Sequence, residues 1–173
     1  HTDPAWFANN QCFTDAVDLL IKPDHYAFRM LYSQGVPLES LGVPTIDGTP
    51  VENDSRKIWR TFAAHYHLFA GTPTRIWMDH VFNTVFGLEE ALSPGTADTY
   101  FEHINAQLAT PAFRPRPLFE RFNIEVLATT ESPLDTLDHH HAIRDLGWSG
   151  RVITTYRPDP VAEVHIVTGT ERP

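Results

Sequence analysis

The chain has 173 residues, 42% hydrophobic and 20% charged, the composition of a globular domain with room for a real core. Thirteen basic against 22 acidic residues leave a net charge of −9, which argues against nucleic acid or an anionic membrane as a partner. It does not argue against an anionic small substrate, because local basic residues set the field inside a pocket. A single cysteine, Cys12, excludes an internal disulfide and points to a reducing, cytoplasmic setting. No apolar run has the length of a membrane-spanning helix. A start on His1, with no methionine or signal-like region, reads as a trimmed or incomplete chain.

In chain order, residues 1–13 read as a loop, with Asp3-Pro4 and Asn9-Asn10 as breakers and Trp6, Phe7 and Phe13 docking on something. Thr14 or Asp15 caps a short helix through Ile21. Asp24 caps the next, His25 to Gln34, which Gly35 stops. Residues 36–52 are rich in Pro and Gly and read as irregular. Three longer helices follow. Asn53 to Phe69 carries Ile58, Phe62, Tyr66 and Phe69 on one stripe. Pro73 to Phe86 starts with proline in its first turn, and Gly95 to Ala109 carries Tyr100-Phe101, Ile104 and Leu108. A proline-rich connection, 110–117, leads into a short helical turn, Pro117 to Phe122.

Residues 122–159 read as one β-α-β unit. The first strand is Asn123 to Thr129, the helix spans 135–146, and the second strand is Arg151 to Tyr156, closed by Pro158. Parallel strands joined by a helix bind ligands beyond their carboxyl ends. That rule sets Thr129-Thr130-Glu131-Ser132 beside Tyr156-Arg157-Pro158-Asp159 on one rim. In the tail, Val161 to Val167 is strand-like. Two strands cannot make a covered sheet by themselves.

Ten histidines invite a metal reading. His65 and His67 are two apart on a helix, so they point different ways and cannot share an ion. His139-His140-His141 lies on the crossover helix and reads as solvated or packing. His1 is different: on a strand, residues two apart face the same way, so His1 suits the second half of an H-x-H metal pair. Asp24-His25-Tyr26 opens a helix, where backbone amides favour anions. His25 suits a general base and Tyr26 a donor to a developing oxyanion, against a plainer reading as cap and core. Arg157, at a strand end, suits a bidentate grip on a carboxylate, against a plain salt bridge. No nucleotide-binding glycine motif, C-x-x-C or G-x-S-x-G is present.

The order of these segments resembles uronate (glucuronate) isomerase, a family of the amidohydrolase superfamily. The likeness is carried by His1-Thr2-Asp3-Pro4, LLIKPDHYAFRMLYSQGV at 19–36, YHLFAGTPTRIWMDHVFNTVFGL at 66–88, LSPGTAD at 92–98, RFNIEVLATTESPLDTLDHH at 121–140 and YRPD at 156–159. It runs along nearly the whole chain and fades from about Val161. The resemblance implies an α/β fold: a partial, distorted (β/α)8 TIM-type barrel with a large N-terminal helical insertion. Residues 1–120 would be the end of the first barrel strand plus the insertion, and 121–173 the βαβ unit of the second and third strands with a divergent tail. It implies isomerisation of D-glucuronate to D-fructuronate and of D-galacturonate to D-tagaturonate. It matches His25 and Tyr26 to the family's His-Tyr beside the substrate, Arg157 to an arginine on the substrate's carboxylate side, and His1 to a metal ligand. The metal expected is divalent, zinc, with a homo-oligomeric protein acting on a small sugar acid. Two other readings stand beside this one: a non-catalytic helical module for self-association or partner binding, and a metal-dependent hydrolase of the same superfamily.

Overall fold

A computed structural model describes residues 3–158. The chain divides into two compact units: Cys12–Phe113, and a second made of His1–Gln11 with Arg114–Pro173. This boundary differs from one at residue 120, and the reason is the N-terminal segment. Residues 4–9, expected as loop, form helix α1 (Pro4–Asn9). Asp3-Pro4 starts this helix instead of breaking structure. The Asp3 carboxylate accepts from Ala5 N at 2.8 Å, Pro4 fills the first turn where no amide bond is needed, and Asn10 closes the helix in the left-handed region.

The Cys12–Phe113 unit is entirely helical. Its helices are α2 (Ala16–Leu20), α3 (His25–Ser33), α4 (Ser55–Ala64), α5 (Pro73–His80) and α6 (Ala97–Leu108). Side-chain caps start four of them: Asp15, Asp24, Asp54 and Thr72 each accept from an amide of the first turn. The expected helix 53–69 breaks at His65 and continues as a tight 3-10 turn, Tyr66–Phe69. The expected helix 73–86 widens into a π turn at Val81–Val85, where Phe86 N donates to Val81 O at 3.1 Å. The core is aromatic. Trp59, Phe62, Tyr66, Phe69 and Phe82 are all at most 2% exposed, and their rings meet at 5.4 to 6.2 Å. Trp59 donates its indole N–H to Ala97 O at 2.9 Å, so the polar tip of the largest core residue is satisfied. The irregular stretch holds one 3-10 turn, Leu38–Leu41, ended by Gly42 at φ 76°. A Cβ on Gly42 would lie 3.0 Å from Ile58 Cδ1 and 3.1 Å from Glu52 O, so glycine is required there on two counts.

The other unit carries α1, α7 (Pro115–Arg121), β1 (Val126–Glu131), α8 (Asp138–Asp145) and β2 (Arg151–Tyr156). Strands β1 and β2 are parallel, paired from Val126↔Arg151 to Glu131↔Tyr156, with α8 as the crossover. β1 starts three residues later than the alternation suggests. Asn123 adopts φ 50° and Ile124 N donates to Phe119 O, so both residues cap α7 and leave the ladder to begin at Val126. The core is a small cluster of Phe7, Phe119 and Ile143, with Trp148 stacked on Phe7 at 6.0 Å. Arg116 ties α1 down, its guanidinium donating to the carbonyls of Phe7 and Ala8 at 2.7 Å each. The strand-like segment 161–167 lies outside the described residues.

Candidate functional site

The carboxyl ends of β1 and β2 lie side by side. Register pairs Thr129↔Thr154, Thr130↔Thr155 and Glu131↔Tyr156, and Thr155 Oγ1 donates to Thr129 O at 2.8 Å. Arg157 follows β2 directly and is exposed. The rim expected from the strand ends is therefore present as far as Pro158.

Strand alternation turns Leu127, Thr129 and Glu131 to the face that α8 covers. Thr129 is 2% exposed, and no other polar residue appears among the buried ones described. Its hydroxyl donates to Ile153 O at 3.2 Å and lies 2.9 Å from His140 Nε2. His140 Nε2 and the Thr129 hydroxyl are hydrogen-bond partners, with the direction set by the imidazole tautomer. Glu131 Oε2 stands 3.8 Å from the same Nε2, close enough for an ion pair but too far for a hydrogen bond. Glu131 Oε2 and His140 Nδ1 are both buried with no hydrogen-bond partner. Leaving such a group unpaired costs about 1–3 kcal/mol.

This trio is not a nucleophilic triad. Thr129 is sealed from solvent, and the carboxylate faces the ring nitrogen that the hydroxyl already uses. The trio instead borders a cleft of about 630 Å³ at the end of β1, whose walls include Asp3, Thr130, Ser132 and Asp135.

His25 and Tyr26 belong to the helical unit. They occupy the first turn of α3, and their rings sit 4.2 Å apart at 33°. Asp24 holds this turn by accepting from Tyr26 N at 2.9 Å, so its cap role is real. Tyr26 is 61% exposed, which removes its plainer reading as a core residue. His25 and Tyr26 thus form one pair in one unit, while Arg157 stands in the other. His1 lies outside the described residues. Among the described residues, no group of three or more His, Cys, Asp or Glu is placed to hold a metal ion. These residues alone therefore do not make a metal site.

Of the remaining histidines, His65 Nδ1 bonds Thr61 O at 2.8 Å and His103 Nε2 lies 2.7 Å from Phe86 O, both structural contacts. His140 is the residue that sequence reasoning passed over, as one of three histidines on a crossover helix. The signal for it was the strand: residues two apart, Thr129 and Glu131, share the face that the helix must cover.

Comparison with known proteins covers nearly all of this chain. The profile of the glucuronate isomerase family matches residues 1–169. A uronate isomerase of Rhizorhabdus wittichii is 64% identical over 163 residues, and one of Xanthomonas euvesicatoria is 62% identical over the same length. Each alignment takes 94% of this chain but 34% of the relative, so the chain spans about a third of the relatives' length. The crystal structure of glucuronate isomerase from Caulobacter crescentus superposes with a TM-score of 0.86 at 60% identity, over 91% of this chain and 33% of that one. Uronate isomerase from Thermotoga maritima superposes at 0.79 with 25% identity, over the same shares.

Proposed function

Because the chain belongs to the glucuronate isomerase family, we propose that it forms the N-terminal part of a uronate isomerase, one that interconverts D-glucuronate with D-fructuronate and D-galacturonate with D-tagaturonate. The observation that carries this reading is the family match along residues 1–169, laid on a fold with a polar rim at the ends of two parallel strands. The βαβ unit is then the second and third strands of a distorted β/α barrel, and Cys12–Phe113 is the helical insertion after the first.

Aldose–ketose exchange moves a proton from C2 to C1 through an enediol. It needs a base at C2, a proton donor at the carbonyl oxygen and a hold on the acid group. In this reading His25 is the base, Tyr26 donates to the oxygen as its charge develops, and Arg157 grips the carboxylate with its planar fork. Support comes from the placement of His25 and Tyr26 as one exposed pair on a capped helix start, and from Arg157 at a strand end. A divalent metal, zinc, belongs to the proposal with His1 as one ligand, and its other ligands would come from the length of the relatives that this chain does not span. When bound, such an ion polarises a carbonyl oxygen. No step above depends on it. A homo-oligomer in the cytoplasm completes the reading. Among the described residues, no helix is long and apolar enough to cross a membrane.

The test is a coupled assay for ketouronate formation. Full-length protein carrying this chain is expected to turn over D-glucuronate, and no product would refute the reading. The 173-residue chain alone is expected to show no turnover, and activity there would overturn the division of the site between this chain and the rest.

A further inference from the structure

Positive charge in the helical unit is almost all paired. Lys22 meets Asp18, Lys57 meets Glu52, Arg75 meets Asp79, and Arg56 and Arg60 share Asp98. Arg29 is the exception. Among the described residues of this unit it is the only lysine or arginine with no acidic partner, and it is exposed. It stands on α3, four residues after His25 and three after Tyr26. Residues so spaced are neighbours on a helix surface, with Cβ atoms about 5–6 Å apart. Helical side chains also lean toward the helix start, so a long side chain at position 29 covers the turn before it. His25 and Tyr26 are exposed on that turn, their rings 4.2 Å apart. One exposed stripe of α3 therefore offers an imidazole, a phenol and an unpaired guanidinium to the same ligand.

We propose that Arg29 is a further catalytic residue of the uronate site, holding the negative charge that develops on the substrate's C1 oxygen. This inference rests on the uronate reading. When His25 takes the C2 proton, the C2–H electron pair forms the C1–C2 double bond and the carbonyl pair moves onto O1. Tyr26 then gives its proton to O1 and receives the one that O2 gives up, while C1 takes the proton from His25. Between those transfers the substrate is an enediolate, and a neutral phenol balances only part of its charge. A guanidinium beside the phenol balances the rest with no proton moving, because it stays protonated throughout. Arg157 cannot serve here as well, since a uronate carries its carboxylate at C6, the other end of the carbon chain from O1. A cation already paired with an acid would offer this oxygen little net charge, and Arg29 is the one in its unit without such a partner.

The test uses the full-length protein carrying this chain, with ketouronate formation and urea unfolding read together. Arg29→Ala is expected to lower kcat about 100-fold, the usual loss when one donor to a developing oxyanion is removed, and to change KM by less than about threefold. Arg29→Lys should recover part of that loss. Added guanidinium chloride, below denaturing concentration, should restore part of the kcat of Arg29→Ala. Tetramethylammonium chloride at equal ionic strength, which has charge but no donors, should not. The unfolding midpoint should stay where it is. Unchanged kcat overturns the proposal, and so does a rise in KM with kcat kept, which assigns Arg29 to uniform binding. A lowered midpoint or failure to fold, with no rescue by guanidinium, makes Arg29 a structural contact and overturns it as well. If the unsubstituted protein forms no ketouronate, the uronate reading is refuted and this inference falls with it. Turnover there, matched by Arg29→Ala, refutes the role of Arg29 alone.

Discussion

The two units bury different things. The helical unit hides an aromatic stack in which Trp59, Phe62, Tyr66, Phe69 and Phe82 touch one another. The βαβ unit hides a small apolar cluster, Phe7, Phe119 and Ile143, and beside it a hydroxyl, a carboxylate oxygen and an imidazole nitrogen. One face of its sheet is covered by α8, while Val126 and Ile153, exposed at 42% and 37%, look outward from the other. Stability is concentrated where the chemistry is plain, and unsatisfied polar groups gather where the core is thin. Functional sites are expected to break local rules in this way.

Core truncation is the hardest test of that contrast. Phe62 is fully buried and its ring meets those of Trp59, Tyr66 and Phe69, so Phe62→Ala opens a cavity among rings that cannot collapse. The expected loss is about 3–5 kcal/mol by urea unfolding. Ile143→Ala in the small cluster is expected to cost about 2–3 kcal/mol, at the low end of the range for buried aliphatics, because fewer neighbours surround it. Equal losses at the two positions would remove the distinction between the units.

Alkaline titration probes the same contrast without cutting a side chain. Tyr66 is 1% exposed and donates to Asp79 Oδ1 at 2.8 Å. Burial first, and then the Asp79 carboxylate, push its phenol well above the ordinary value. A proton held more tightly in the folded state gives stability that is complete below the unfolded pKa of about 10 and lost as pH rises beyond it. The helical unit should therefore weaken above that pH, as read by far-UV circular dichroism during urea titration. Tyr66→Phe should flatten this dependence, and an unchanged slope in that variant would remove Tyr66 from the account.

Much of the helical unit was legible because its signals are local. Asp15, Asp24 and Pro73 mark helix starts, and the stripe Ile58, Phe62, Tyr66, Phe69 names the core, although a 3-10 turn interrupts the helix that carries it. β2 was legible from its β-branched run. What escaped depends on contacts distant in sequence. Asp3-Pro4 means break or start according to whether Phe7 finds Phe119 and Trp148 more than a hundred residues later. β1 shifted because α7 claims Asn123 and Ile124 for its own ending. His140 escaped because its partners lie on a strand whose register was not yet known. Arg157 and the pair His25 and Tyr26 were singled out by position and resemblance, and each stands at an element's end, where side chains escape the core.

The smallest expected effect bears on the most ambiguous residue. Asp24 was readable as a cap or as part of a site, and it makes one cap bond, from Tyr26 N at 2.9 Å. Asp24→Ala removes that bond and should cost about 1 kcal/mol, the usual value for a helix start. Asp24→Asn keeps an oxygen in place and should recover nearly all of it, since the cap needs an acceptor more than a charge. The full-length protein makes the comparison decisive. If Asp24 only holds the turn on which His25 and Tyr26 stand, Asp24→Asn restores turnover together with stability. If stability returns and turnover does not, the negative charge itself acts on the neighbouring imidazole, and Asp24 joins His25 and Tyr26 in the proposed site.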